Sequence, residues 1–160
     1  NTPPADFTVL VSDPSFLSSA GWLEVESTQD QILGTMTFNA SDDHFTAGYE
    51  LNGAPLTQFM FPIVTQNEIV QTGVALLNVT PDPAHVVMEL WGMDGNMIAT
   101  ASMTLDPRSR TAVHLDGLFP GMDPLLMGNL RIRSDKALCG FALVNDAAYT
   151  FVMAMPATAK

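Results

Sequence analysis

Three histidines and one pair of adjacent aspartates are the residues whose types could bind a metal or transfer protons. His44 follows Asp42 and Asp43 in a polar stretch that we predict to be a loop, whereas His85 and His114 lie in or at the end of predicted strands. None of the histidines has a zinc-binding spacing such as His-Glu-x-x-His. Calcium takes about six to eight oxygen ligands, so several loops would have to complete a site. Asp42 and Asp43 therefore stay weak calcium candidates, and we favour a solvated hairpin loop.

The sequence contains no motif typical of a catalytic machinery. It lacks the Gly-x-Ser-x-Gly turn of hydrolases and any glycine-rich phosphate loop. A Ser-His-Asp triad is built from residues distant along the chain, so sequence alone neither shows nor excludes one. Cys139 is the single cysteine and lies in an apolar run, which favours a core thiol over a nucleophile. We predict no catalytic residues and no cofactor, and keep an enzyme of unrecognised type as the third hypothesis.

Aromatic side chains are the best candidates for ligand contact. Trp22, Trp91, Tyr49 and Tyr149 could stack on sugar rings, since exposed aromatics beside Asp and Asn often bind glycans in sandwich modules. Trp22 lies on the same face of its predicted strand as Glu24 and Glu26 because side chains alternate. Packing in the core or at a sheet edge is the alternative that we favour for each of them.

The composition limits the classes of partner. Six basic residues stand against 17 acidic ones, which gives a net charge of −11 and disfavours binding to nucleic acid or anionic lipid. Hydrophobic residues make up 47% of the chain, which is enough for a core, and charged residues only 14%. No stretch reaches the roughly 18 apolar residues of a membrane helix. We therefore expect no membrane insertion.

Apolar residues alternate with polar ones in short runs along the chain. The runs 84–91 and 97–105 flank Asp94-Gly95-Asn96, a strong hairpin signal because such turns need positive φ. Further strands are expected around residues 7–11, 32–39, 45–51, 57–64, 71–78, 110–114, 137–145 and 149–155. One short helical turn is expected within residues 115–127. This spacing predicts an all-β fold, an antiparallel β-sandwich of immunoglobulin-like or related type.

An internal half-repeat is visible in the sequence. Residues 21–27 match residues 128–134, and in both places a short turn and a glycine-opened strand follow. We predict a linker and first strand over 1–20 and a sandwich over 21–160, with repeated strand pairs near 21–39 and 128–145. Within the repeat, Glu24 and Glu26 occupy the positions of Arg131 and Arg133. We hypothesise that these two strands lie close, in one chain or between adjoining modules; the alternative, which we favour slightly, is that both charged rows face water.

Alternation also predicts which apolar residues face the core. These are Leu23, Val25, Leu76, Leu90, Leu130, Ile132, Phe141 and Leu143.

A set of short motifs follows in a fixed order along the chain: Phe61-Pro62-Ile63-Val64, Thr72-Gly73-Val74-Ala75-Leu76-Leu77-Asn78, Leu90-Trp91-Gly92-Met93-Asp94-Gly95-Asn96, Leu105-Asp106-Pro107, Leu118-Phe119-Pro120-Gly121 and Leu130-Arg131-Ile132-Arg133-Ser134-Asp135. Together these motifs resemble a β-sandwich repeat family of uncharacterised function in secreted and cell-surface bacterial proteins. Their order holds from about residue 21 to the end. Two positions depart from the pattern, since Val79 stands where Pro is common and Arg108 where Gly is common.

The resemblance implies a non-catalytic extracellular structural or adhesion-type module of a surface or secreted bacterial protein, with a periplasmic location as an alternative. Other surface modules or proteins, or glycans, are the partners expected. The alternative function is a carbohydrate-binding module that uses exposed aromatics and loop carboxylates.

Overall fold

Alternating apolar residues build antiparallel strands in the part of the chain that the computed structural model describes, residues 34–39, 46–50, 54–148 and 150–159. The strands are β1 (Thr35–Asn39), β2 (Thr46–Glu50), β3 (Leu56–Gln66), β4 (Val70–Asn78), β5 (Ala84–Trp91), β6 (Met97–Leu105), β7 (Arg110–His114), β8 (Leu125–Asp146), β9 (Val152–Pro156) and β10 (Thr158–Ala159). One helical turn, α1 (Leu115–Leu118), follows β7. The predicted antiparallel β-sandwich with almost no helix is confirmed.

Strand β8 organises the sandwich because its two halves have different neighbours. In its first half, Arg131 lies opposite Met60 of β3 on one side and Glu89 of β5 on the other. In its second half, Leu143 lies opposite Gly73 of β4 and Ala154 of β9. Strands β6 and β10 extend the first half beyond β5 and β3, and β7 extends the second half beyond β4. The 22-residue strand β8 thus belongs to both layers.

The core lies between these layers and follows the two-residue period of the strands. From residue 130 onwards the buried apolar side chains of β8 all have even numbers: Leu130, Ile132, Leu138, Ala142 and Val144. They pack with buried residues of the other strands and α1, among them Phe59, Phe61, Val74, Leu76, Val86, Met88, Leu90, Leu115 and Met155. Leu76, Leu90, Leu130 and Ile132 are therefore buried as predicted.

The predicted burial of Phe141 and Leu143 is wrong, since both side chains are only half-buried. The expected turn after residue 134 is absent, and β8 continues without a break to Asp146. The pairing with β3 shifts here, from Gln58 opposite Arg133 to Leu56 opposite Leu138, but the buried face set by Leu130 and Ile132 keeps its even positions and continues to Ala142 and Val144. Residues 128–145, expected as two strands, form part of this single strand.

The hairpin between β5 and β6 has the predicted turn. Gly95 adopts φ +80°, a conformation that glycine reaches without a steric penalty. The backbone N–H of Gly92 donates to the carbonyl of Asn96 at 2.8 Å, and Asp94 Oδ1 accepts from the Asn96 N–H at 3.0 Å. Both strand ranges agree with the sequence pattern.

The helical turn predicted within residues 115–127 is α1. The N–H of Phe119 closes it by donating to the carbonyl of Leu115 at 2.8 Å, and Leu115 and Leu118 are buried. Among the described residues no helix has the length and apolarity needed to cross a membrane.

Strands β1 and β2 form a separate antiparallel pair, with Thr35 opposite Glu50, and β2 lies next to β9. The linker predicted over residues 1–20 and the first repeat strand over 21–27 lie outside the described residues, as do Leu23 and Val25.

Candidate functional site

The first half of β8 forms a layer with β3, β5 and β6. The face of this layer that lies opposite the core carries aromatic and charged side chains that the sequence singled out. On β5 this face presents His85, Val87, Glu89 and Trp91, since the residues between them are buried. On β8 it presents Asn129, Arg131, Arg133 and Asp135. Thr100, Ser102 and Thr104 continue the face on β6 because they lie opposite Glu89, Val87 and His85. We call this surface the outer face.

Trp91 is packed against Arg131 on the outer face. The guanidinium carbon of Arg131 lies 4.1 Å from the ring centroid of Trp91, a cation–π geometry. The indole Nε1 donates to Glu89 Oε2 at 3.2 Å, and Arg131 Nε donates to Asn129 Oδ1 at 3.2 Å. Trp91 is half-buried, so the packing hypothesis fits it, and Arg131 covers part of its aromatic surface.

Glu89 joins this cluster to the next arginine along β8. Its Oε1 accepts a hydrogen bond from Arg133 Nη2, while Oε2 accepts from Trp91. The Glu89 side chain is 16% exposed and that of Arg133 is 56% exposed, so the ion pair lies at the border of solvent. One carboxylate thus connects two neighbouring strands through both of its oxygens.

Polar contacts continue towards the far end of the outer face. Asp135 Oδ1 accepts from the backbone N–H of His85 at 2.7 Å, and a ring nitrogen of His85 lies 3.2 Å from the Thr104 hydroxyl. Lys136 Nζ donates to Asp82 Oδ2 at 3.0 Å. This hydrogen bond raises the pKa of Lys136 above its ordinary value of 10.5.

Two aspartates stabilise surface turns by accepting hydrogen bonds. The pKa of Asp94 is lowered from its usual 3.8, first because the backbone N–H of Asn96 donates to it, and then because the Asn96 side chain does. The pKa of Asp146 is lowered chiefly by the hydroxyl of Thr150, which donates to its Oδ2. Both carboxylates bond to residues of their own turn.

Two shallow depressions lie away from this cluster. The larger, about 380 Å³, is lined by Ile98, Ala99 and Thr100 of β6 and by residues 118–123. The smaller, about 170 Å³, lies between β4, β7 and β8. Within the described ranges no group of three or more His, Cys, Asp or Glu side chains is placed to hold a metal ion.

Three of the predicted site residues come together on the outer face, namely Trp91, Arg131 and Arg133. Trp22, Glu24, Glu26, Asp42, Asp43, His44 and Tyr149 lie outside the described residues, so the calcium hypothesis and the Glu–Arg strand pairing stay predictions. Tyr49 lies in β2, opposite Met36. Cys139, predicted as a core thiol, is half-buried in β8.

Glu89 and Asn129 complete the cluster, although neither was predicted from the sequence to belong to it. Glu89 stands two residues before Trp91, and Asn129 two residues before Arg131, so each pair shares a face of its strand. This two-residue spacing was the sequence signal that could have added Glu89 and Asn129 to the predicted cluster. The pairing of β5 with β8, which places Trp91 opposite Asn129, could not be read from either strand alone.

Fold and surface together define an antiparallel β-sandwich module with a hydrogen-bonded outer face. Residues 53–136 match the model of the family of unknown function DUF5719, and the chain belongs to that family. The expectation of a family of uncharacterised function is thereby confirmed. No curated protein matches the chain.

Two solved structures are similar to the chain. The crystal structure of Thermotoga maritima 1070 is 14% identical, has a TM-score of 0.57, and covers 69% of this chain and 97% of its own. At this identity the similarity concerns the fold alone. The Anabaena sensory rhodopsin transducer is 18% identical, with a TM-score of 0.45, over 54% of this chain and 93% of its own.

Proposed function

We propose that this chain is a non-catalytic structural or adhesion-type module of a secreted or surface-attached bacterial protein. The observation that supports this role is that charged side chains link strands and turns through ion pairs and hydrogen bonds. Glu89 connects β5 to β8, Asp82 bonds Lys136 of β8, and Asp146 bonds the turn before β9. Each of these groups contributes to the rigidity of the sandwich surface.

Strand β8 suits a module that must keep its shape under load. Each half of β8 is hydrogen-bonded to a strand on both sides, so pulling it out requires breaking both ladders. The buried core on one side of β8 and the hydrogen-bonded outer face on the other add to its resistance to being pulled out. Such a module would serve as a stiff spacer or as a platform for a neighbouring surface protein.

The location can be tested in the native bacterium. The gene product, carrying an epitope tag in its own reading frame, is followed while intact cells are treated with a protease. We expect loss of the tag from intact cells or its recovery in the medium, with a cytoplasmic protein unaffected as control. Retention of the whole tag inside protease-treated intact cells would contradict a surface or secreted role.

Carbohydrate binding is the second candidate, and the composition of the Trp91 cluster favours it. A carboxylate, an amide and a guanidinium group surround an indole on an open sheet face, and these groups commonly bond sugar hydroxyls. A glycan array with the whole chain, and with W91A beside V87A as a matched control on the same strand, tests this. Glycan binding that W91A abolishes and V87A keeps would favour this candidate over the structural role.

A further inference from the structure

The β1–β2 hairpin has the same strand register as the hairpin formed by β8 and β9. Each paired position of β1 and β2 has a counterpart 106 residues later, as Asn39 has in Asn145. Asn39 lies opposite Thr46, and Asn145 lies opposite Val152. The correspondence holds to the far end of both ladders, at the pairs Thr35–Glu50 and Phe141–Pro156.

The sequence supports this correspondence independently of the strand pairing. Three identities share the spacing of 106 residues: Gly34 and Gly140, Asn39 and Asn145, Phe45 and Phe151. In both hairpins six residues, 40–45 and 146–151, separate the last paired positions of the two strands. Equal register, equal loop length and identical residues indicate that the two hairpins are copies of one structural unit.

Among the described residues only one of these hairpins is completed by a further strand. The second half of β8 pairs with β9 on one side and with β4 on the other. Strand β1 pairs with β2, and no other described strand pairs with it. A two-stranded hairpin is marginally stable at best in water and needs a third strand with a shared apolar face. Within the described part of the chain, β1 lacks the neighbour that β4 provides for β8.

The residue types of the first hairpin suit a sheet with a buried face. In the second hairpin three apolar side chains are buried in the core: Ala142, Val144 and Met155. At the positions 106 residues earlier the sequence has large apolar or aromatic residues, Met36, Phe38 and Tyr49. The first hairpin thus has the composition of a core face, which needs other strands to cover it.

We propose that β1 and β2 are the last hairpin of a second module of the same kind, and that the open edge of β1 binds the β4-type strand of that adjoining module. This inference goes beyond the proposed surface role and does not depend on it. In strand addition of this kind, backbone hydrogen bonds provide affinity and the alternating side chains provide specificity.

The order of the strands excludes residues 1–33 as the source of this strand. At the spacing of 106 residues they correspond to residues 107–139, which contain β7, α1 and the first half of β8. The range of β4, residues 70–78, has no counterpart among them. The occupant is therefore the β4 strand of another copy of the module.

The repeat also defines the register of the added strand. In β8 the residue 106 positions after Thr35 lies opposite Ala75, and the residue 106 positions after Thr37 lies opposite Gly73. Thr35 and Thr37 are exposed in the described chain. In the complex, Thr35 lies opposite the residue at the position of Ala75, and Thr37 opposite that at the position of Gly73.

The test adds the β4-type strand to the whole chain as a labelled peptide with the sequence of residues 69–80. Fluorescence polarisation should show saturable binding in the micromolar range, since one added strand buries only a small interface. The matched control is the same peptide with V74P/A75P, because proline disrupts a ladder in the middle of a strand. We expect its dissociation constant to be at least about tenfold higher.

Disulfide formation under mild oxidation locates the peptide and tests the register. Residues directly opposite in an antiparallel pair have Cα atoms about 4.5–5.5 Å apart, within the range of a disulfide. In a C139S background, T35C should cross-link to a peptide with A75C, and T37C to a peptide with G73C. The two exchanged combinations join diagonal neighbours about 7–8 Å apart and should give much less product. The control A112C, on the edge strand β7, should give no more product than C139S alone.

Two results overturn the proposal. A chain that does not bind the wild-type peptide shows that the edge of β1 takes no β4-type strand, and leaves it to another segment such as residues 7–11. Binding without preferred cross-links at Thr35 and Thr37 shows that the peptide occupies a different edge of the sandwich.

Discussion

The guanidinium of Arg131 lies 4.1 Å from the centre of the Trp91 ring, although the two residues stand on different strands. The pair joins β8 to β5 on the outer face, and Glu89 accepts a hydrogen bond from the indole N–H. The contact explains why a tryptophan with no place in the core is still half-buried.

We predict a measurable coupling between Arg131 and Trp91. In a double-mutant cycle of R131A and W91A, the free energy of unfolding should show an interaction of about 0.5–1 kcal/mol, the usual size of a cation–π contact near solvent. Urea denaturation of the four proteins measures it. The conservative variant W91F should retain part of the coupling, and strictly additive effects would contradict the contact.

Charge reversal distinguishes two possible partners of Arg133. Since Arg133 pairs with Glu89, R133E should destabilise the chain by about 0.2–1 kcal/mol, and E89R should restore the stability of R133E. The strand-pairing hypothesis from the sequence instead predicts that R131E/R133E is restored by E24R/E26R. Thermal denaturation of R133E/E89R and of R131E/R133E/E24R/E26R decides between the two partners, because only reversal of the true partner restores the melting temperature.

Asn78 is predicted to be the more important of two buried asparagines. Its side-chain amide donates to the carbonyls of Asp82 (2.7 Å) and Asp106 (3.0 Å), and its Oδ1 accepts from the Thr80 N–H (3.0 Å). Asn78 itself is fully buried, so the loss of this set of hydrogen bonds in N78A should cost about 2–4 kcal/mol.

The matched control for this prediction is Asn145. It is 5% exposed but bonds through its side chain only to the carbonyl of Asp146 among the described contacts. We expect N145A to lose about 1 kcal/mol in the same urea titration. Equal losses for the two variants would show that the additional bonds of Asn78 contribute nothing.

Arg108 adopts a left-handed backbone conformation, with φ +51°, at the position where the resembling sequences often have glycine. An L side chain with a Cβ atom is disfavoured there by about 1–2 kcal/mol. We therefore predict that R108G is more stable than R108A by about 1 kcal/mol. The comparison removes the arginine side chain in both variants, so it isolates the backbone effect. A higher melting temperature for R108A would contradict it.

Lowering the pH should destabilise the turn that ionised Asp146 stabilises. The pKa of Asp146 is lower in the folded chain than its ordinary 3.8 because Thr150 donates to the carboxylate, so the ionised form stabilises the fold. This contribution is complete above the unfolded-state pKa and is lost as the pH falls through the lower, folded-state value. Between about pH 5 and pH 2, the wild type should lose stability more steeply than D146N. Parallel pH profiles would show that the carboxylate contributes no pH dependence.

The sequence predicts the β5–β6 hairpin fully because alternation and a positive-φ turn point to the same structure. It fails at β8 because Ser134, Asp135 and Lys136 have the composition of a turn. In the folded chain Asp135 instead accepts from His85 of β5, and Lys136 donates to Asp82 in the segment before β5. The Trp91 cluster depends on the register between strands about 40 residues apart. A single sequence contains no local signal for such a pairing.

Continuity of β8 also has a consequence for cooperativity. Because the same backbone supplies ladder hydrogen bonds to both layers, neither layer can open without disturbing the other. Partial unfolding that releases one sheet and keeps its counterpart is therefore unfavourable, and the sandwich should behave as one thermodynamic unit. The amide protons of β8 that lie between two partner strands would then exchange with solvent only through global unfolding. They would report the full stability of the domain from either end of the strand.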